Sequence, residues 1–261
     1  MDDWAKFVER VVRPRKRVRI AVVGKYIELQ DAYKSIYESL THAGAAHDCG
    51  IDLVLIDAED LEAEGGPEKH LRGVAGILVP GGFGDRGIEG KIAAARYARE
   101  TGTPYLGICL GMQVAVIEFA RNACGYPKAD STEFDPDTTD PVIYLMEDQK
   151  DVTDKGATMR LGSYPCLLRK NTVAHQLYGA SEINERHRHR YEFNMKYKDG
   201  MEKQGLVISG TSPDGTLAEV VELRNHTWFV ACQFHPEFRS RPRAPHPLFK
   251  GFIAAALTHV C

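Results

Sequence analysis

The sequence lacks several features that would point it elsewhere. No run among its 261 residues is long and apolar enough to cross a bilayer. Six cysteines are scattered without a C-x-x-C pair, which suggests neither a zinc site nor a disulfide framework and fits a reducing, cytoplasmic setting. The opening residues, Met1-Asp2-Asp3-Trp4-Ala5-Lys6, are charged and carry no apolar segment, so no secretory leader is read there. Asn225-His226-Thr227 is then a chance glycosylation pattern. A formal net charge of −3 gives no reason to expect nucleic acid or a membrane as partner. There is no internal repeat and no low-complexity tract. What remains, 43% hydrophobic and 26% charged, is the ordinary composition of one sizeable globular domain.

Residues 104–113, Pro-Tyr-Leu-Gly-Ile-Cys-Leu-Gly-Met-Gln, are the most informative stretch. An apolar run reads as a buried strand. Cys109 follows it between Gly107 and Gly111, and a helix-compatible run comes next. Gly-x-nucleophile-x-Gly at a strand-to-helix turn is the nucleophile-elbow pattern, here with a thiol. A helix start beneath the sulfur favours a thiolate. A plain core cysteine would not need both glycines.

The remaining pattern alternates strands and helices. Strands are expected at residues 18–23, 51–56, 76–80 and 104–108. The helices between them include one capped by Asp31, with Ala32, Ile36, Leu40 and Ala43 on one face, and one over 88–100, with Ile92 and Ala95 in its stripe. This predicts right-handed crossovers, a mostly parallel sheet, and ligands beyond the carboxyl ends of the strands. Gly81, Gly82 and Cys109 all fall at such ends. Residues 122–158 are rich in Asp, Pro, Thr and Lys, with one strand-like piece at 142–146 and a candidate lid at 148–157. Further strands are expected at 159–169, 188–195, 206–211, 217–223 and 228–232, and a closing helix at 248–257.

A base for the thiol is offered by Gln233-Phe234-His235-Pro236-Glu237. In extended backbone, residues i and i+2 share a side, so Glu237 is placed to orient His235. A lone histidine at a strand end is more often structural; the neighbouring carboxylate favours a triad of Cys109, His235 and Glu237. Residues 80–87, Pro-Gly-Gly-Phe-Gly-Asp-Arg-Gly, contain G-x-G-x-x-G, but no acidic residue ends the next strand to hold a ribose. An oxyanion hole made by the N–H groups of Gly82 and Leu110 is the better reading. Gly24-Lys25 mimics part of a phosphate loop, yet Arg19 stands where its first glycine belongs. In residues 186–191, Arg-His-Arg-His-Arg-Tyr, His187 and His189 share a face, but flanking arginines oppose a metal. A solvated basic edge strand and capture of a substrate carboxylate by arginine both remain open. Residues 13–19 are a basic linker.

Taken together, the motifs at 80–84, 107–113 and 233–237 resemble the class I glutamine amidotransferases. Within these, Gly24-Lys25-Tyr26, Asp31-Ala32-Tyr33, residues 131–134, residues 158–162 and residues 186–192 resemble the glutaminase domains of CTP synthases. The resemblance implies a flavodoxin-like, mostly parallel sheet flanked by helices with added antiparallel strands. It implies a connector at 1–17 and an amidotransferase domain at 18–261, the chain being a piece of a larger protein. L-glutamine would be held by Gly82, Gln113, Glu133, Arg190 and the backbone near Tyr191. No cofactor is expected in this domain. ATP, Mg2+ and UTP would belong to a synthase domain of the same polypeptide, and the full protein would be a homo-oligomer. GTP would be an allosteric activator, with Phe83, Arg86 and Glu89 as its candidate contacts. A related γ-glutamyl hydrolase and a non-catalytic regulatory or assembly module are the rival readings.

Overall fold

β-branched and apolar residues bury the first strand, β1 (Lys16–Gly24), so that from Ile20 onward every residue is shielded. In this computed structural model, which describes residues 2–27, 29–145 and 159–259, β1 lies between β2 (Cys49–Asp57) and β3 (Gly76–Val79), parallel to both. Next to β3 runs β4 (Tyr105–Ile108), also parallel. The helices α2 (Lys34–Ala46), α4 (Ile88–Thr101) and α5 (Leu110–Ala123) supply crossovers, joined by a short α3 (Gly66–Leu71). Ahead of them α1 (Asp2–Val12) rests Phe7 on His42 of α2, ring centroids 6.2 Å apart.

Beyond β4 the sheet continues through β12 (Phe229–Cys232), β11 (Ala218–Leu223), β10 (Leu206–Thr211), β7 (Arg160–Leu168) and β8 (Glu182–His189). Its full order is β2-β1-β3-β4-β12-β11-β10-β7-β8, with the first five strands parallel and the rest antiparallel. The parallel half has the flavodoxin-like order 2-1-3-4-5. A second, three-stranded sheet joins β5 (Ala129–Ser131), β6 (Asp140–Leu145) and β9 (Tyr191–Phe193). Helices α6 (Val173–Tyr178), α7 (Lys198–Gln204) and α8 (Pro247–Thr258) complete the chain. Two apolar clusters fill the space on the sheet's faces, one around α4 and α5, the other around α2 and α8.

Three local expectations are corrected. Asp31 does not cap α2: it lies inside a 3-10 turn (Gln30–Tyr33), the helix is preceded by Tyr33 with no side-chain cap, and Ala32 is exposed, although Ile36, Leu40 and Ala43 are buried as expected. The strand expected at 188–195 is misplaced: β8 already begins at Glu182 and ends at His189, Arg190 stands at a break, and only 191–193 form β9, in the other sheet. The 122–158 region holds β5 as well as β6. The candidate lid at 148–157 lies outside the described residues.

Candidate active site

β4 ends where Cys109 begins α5, and the cysteine takes φ 53° and ψ −102°, a conformation L-residues rarely adopt. Several anchors hold the elbow there. The Cys109 N–H donates to Cys232 O at 2.7 Å, tying the elbow to β12. The buried Tyr105 hydroxyl donates to Gly111 O at 2.8 Å, and its ring stacks on Phe229 with centroids 4.3 Å apart. Gly111 leaves no room for a side chain, since a Cβ there would lie 2.1 Å from Val79 O. The sulfur thus sits over the first turn of a helix whose early N–H groups favour negative charge. Cys109 is buried, 4% exposed, among the apolar residues around α2 and α8, while its neighbours Gly81 and His235 line an open cavity.

β12 leads to the expected base, His235. The His235 N–H donates to Arg186 O at 2.7 Å, which locks the strand end onto β8. His235 Nδ1 lies 2.8 Å from Glu237 Oε1, so Nδ1 carries the proton and donates. The two meet through a 3-10 turn (Pro236–Phe238), not along extended backbone as the spacing argument expected. Pro236 opens that turn with its preset φ. Burial pulls the imidazole's proton affinity down, but the Cys109 sulfur and the Glu237 carboxylate outweigh it and push His235 up to about 10. Among the described residues its Nε2 has no aligned hydrogen-bond partner, although the Cys109 sulfur lies near enough to raise its proton affinity; such contacts often tighten only when substrate binds.

The glycine-rich loop after β3 closes the other side. A Cβ on Gly81 would lie 2.9 Å from His235 Cε1 and 3.5 Å from Cys109 Cβ, so the loop passes directly over the pair. A Cβ on Gly82 would lie 3.6 Å from Leu110 Cδ2, so the loop packs against the Leu110 side chain at the start of α5. Lys25, set aside above as a failed phosphate loop, donates from Nζ to Phe83 O at 2.6 Å and Gly84 O at 2.5 Å, pinning the loop from below. Lys91, fully buried behind Gly82, is pushed down to about 7, mostly by burial and further by Lys25.

The residues expected to hold substrate connect to the glycine-rich loop and to β9. Gln113 Nε2 donates to Tyr191 O at 3.1 Å, joining α5 to the start of β9. Glu133 accepts from the Gly84 N–H at 3.3 Å; burial raises its carboxyl, while the Gly84 bond, Lys25 and Arg190 pull it back. Arg190 and Glu133 therefore lie within electrostatic reach of one another, a cation and an anion suited to the two charged ends of an amino acid. The three activator candidates do not converge. Phe83 is 46% exposed beneath the Arg188 guanidinium, 5.8 Å from the ring centroid. It shares a cavity of about 250 Å³ with Tyr26, Tyr33, Arg188 and His235. Arg86 is paired with Glu59 at 3.1 Å and also donates to Lys25 O, whereas Glu89 is paired with Arg121 at 2.9 Å.

The basic stretch divides by face. Arg186 and Arg188 point out from β8, while His187 and His189 point in and are buried. The imidazoles meet each other at 2.9 Å, and His189 Nδ1 meets Tyr191 O at 3.2 Å. Around them lie Arg160, Glu192 and Glu219, with Arg160 donating to Glu219 at 2.7 Å and to Glu192 at 3.4 Å. Motif reading quoted Lys25, Arg188 and Gln233 but assigned none of them its place here. Gln233 stood inside a quoted motif, but nothing in its spacing marks where its amide goes.

The family profile described as "Glutamine amidotransferase class-I" matches residues 28–255. Curated relatives include a CTP synthase of Moorella thermoacetica, 60% identical over 256 residues, and one of Roseiflexus castenholzii, 60% identical over 257 residues. Each alignment covers 98% of this chain but 47% and 46% of the relatives, so the chain spans about half their length. Among solved structures, a Trypanosoma brucei CTPS glutaminase domain with bound acivicin is 42% identical, with TM-score 0.87, covering 92% of this chain and 94% of that one.

Proposed function

The chain belongs to the class I glutamine amidotransferases, and from that premise we propose that it hydrolyses L-glutamine to glutamate and ammonia as the glutaminase half of a CTP synthase. The observation that carries the reading is a thiol on a strained elbow at a helix start, beside an imidazole that a carboxylate 2.8 Å away orients and keeps protonated.

His235, pushed up to about 10 by the Cys109 sulfur and the Glu237 carboxylate against its burial, is the base that takes the thiol proton. Cys109 attacks the side-chain amide carbon of glutamine. The resulting oxyanion is taken by the N–H groups of Gly82 and Leu110, each a contribution of about 3–4 kcal/mol where such donors have been removed elsewhere. His235 gives its proton to the leaving nitrogen, ammonia departs, and a γ-glutamyl thioester remains on Cys109. A water then gives a proton to His235 and attacks the thioester, releasing glutamate and the thiolate. Glu237 holds the imidazole in its tautomer throughout. Glu133 accepts the substrate ammonium, Arg190 its carboxylate, and Gln113 with the Tyr191 backbone lines the pocket.

In a longer polypeptide the ammonia would pass to UTP in a synthase domain, where ATP and Mg2+ would supply the activation, giving CTP. GTP would act on the glycine-rich loop. Of its three candidate contacts Phe83 fits best, because it is exposed in an aromatic, arginine-lined cavity, while Arg86 and Glu89 already have carboxylate and guanidinium partners.

The test is labelling with a glutamine-like electrophile, followed by intact mass and peptide mapping. One adduct on Cys109, lost in His235→Ala and blocked by L-glutamine, is expected. Absence of an adduct favours a non-catalytic module. Turnover of γ-glutamyl peptides in preference to glutamine favours a γ-glutamyl hydrolase.

A further inference from the structure

Gln233 belongs to the 233–237 motif, yet the glutaminase reading gives it no task. Its side chain is fully buried at the centre of the site, and its backbone N–H donates to Glu219 O at 2.9 Å, so the residue is held from both ends. Which way its amide faces follows from its neighbours. The Tyr191 carbonyl can only accept, so Gln113 presents its NH2 group there, at 3.1 Å. The second hydrogen of that NH2 goes to Gln233 Oε1 at 3.3 Å. Gln233 must then turn its own NH2 to the opposite side, and there the Cys109 sulfur lies 3.7 Å from Nε2.

We infer that Gln233 is the neutral donor that holds the Cys109 thiolate before substrate arrives, and that through Gln113 it couples the sulfur to the glutamine pocket. The inference rests on the glutaminase reading. A donor aimed at sulfur favours the anion over the thiol, because the thiolate accepts the stronger bond. An uncharged donor does this without giving up a proton, so it leaves proton transfer to His235. Among the described residues, the charged and titratable groups around the sulfur are otherwise few. His235 backed by Glu237, and Cys232, come from the end of β12. His187 and His189 lie behind His235 on β8. Lys25 and Lys91 stand behind Gly82. The first two turns of α5 bring no titratable side chain. Gln233 is thus the contact that distinguishes this sulfur from a thiol paired with histidine alone.

The experiment measures alkylation of Cys109 by iodoacetamide against pH, read by peptide mapping so that other cysteines do not interfere. Gln233→Met keeps the volume and removes the donor. It should move the midpoint of alkylation up by about one pH unit and slow alkylation about tenfold at pH values below the original midpoint. Gln233→Glu keeps an acceptor for Gln113 but sets a carboxylate against the sulfur. It should slow alkylation at least as much, while the glutamine concentration that half-protects Cys109 changes less than about threefold. A residue that only props up Gln113 would give the reverse: weaker protection and an unchanged alkylation profile. In the unsubstituted protein, the Gln233 side-chain amide resonances should shift in step with Cys109 alkylation and with its titration. Resonances that stay still, or a folded variant with the original rate and midpoint, would overturn the inference. If Cys109 of the unsubstituted protein does not react at all with the glutamine-like electrophile, the glutaminase reading fails and this inference with it.

Discussion

At Gly81 a single methyl group decides whether the triad can assemble. A Cβ there would sit 2.9 Å from His235 Cε1, inside van der Waals contact, while Cys109 Cβ at 3.5 Å blocks retreat on the other side. Gly81→Ala is therefore expected to rotate or displace the imidazole and lower the glutaminase kcat on the order of 100-fold, with the melting temperature nearly unchanged. Turnover assays beside thermal unfolding check this, and an unchanged kcat would mean the loop yields before the imidazole does. The candidates Cys109, His235 and Glu237 were legible because each lies in a short motif whose spacing carries its chemistry: glycines flanking Cys109, a carboxylate two positions after His235. Their geometry was less so. The spacing argument brought His235 and Glu237 together along extended backbone, whereas a 3-10 turn does it. Gln233 shows the limit more sharply, since its partners are Cys109 and Gln113, 124 and 120 positions away.

At the scale of the element, the junction of α5 with β3 sets the height of the nucleophile. Gly111 lets the helix approach so closely that a Cβ would stand 2.1 Å from Val79 O, a backbone atom in a central strand. Gly111→Ala must move α5 away from the sheet. We expect a loss of about 2–3 kcal/mol in urea denaturation, together with slower labelling of Cys109, since the elbow moves with the helix. Labelling at the original rate despite the lost stability would show that the elbow is held by Tyr105 and Cys232 independently of α5. Long elements with a clear period, β1, β2, α4, α5 and α8, were legible within a few residues. The misses, β5, α3, α6 and α7, are three to seven residues long, too short for a period to show. The split of β8 from β9 was hidden because both have strand-like composition, and only the second sheet claims residues 191–193.

For the whole molecule, a buried ionic network spanning β7, β8, β9 and β11 makes stability depend on pH. Burial pushes Glu192 up to about 8, only partly relieved by Arg160. Burial, with Arg160, pushes His187 down to about 2 and His189 to about 3. The signs oppose each other. The Glu192 carboxyl binds its proton more tightly folded than unfolded, so the stability it contributes is complete below about 4.5 and fades as pH rises toward 8. His235, raised to about 10, loses its contribution from about 6.5 upward. His187 and His189 are neutral when folded, so their contribution is complete above about 6.5 and fades as pH falls below it. These groups together place greatest stability near pH 6.5. Glu192→Gln should shrink the stability lost between pH 6.5 and 8.0 by about 2 kcal/mol, the work of ionising one such carboxyl over that interval. Urea denaturation at the two pH values measures it, and equal losses in both proteins would move the proton elsewhere in the network.

The amino-acid sequence alone determined the parallel half of the sheet, the elbow cysteine, the histidine and its carboxylate. These are written in periodicity and in spacings of a few residues, which local backbone geometry converts directly into position. Only the tertiary structure decided how His235 reaches Glu237, which faces of residues 186–190 are buried, that Lys25 pins the glycine-rich loop, and that Gln233 points its amide at the sulfur. Those outcomes depend on strands and helices far apart in the chain being packed against each other, and on polar groups that, once out of water, must find whatever partner the packing leaves within reach.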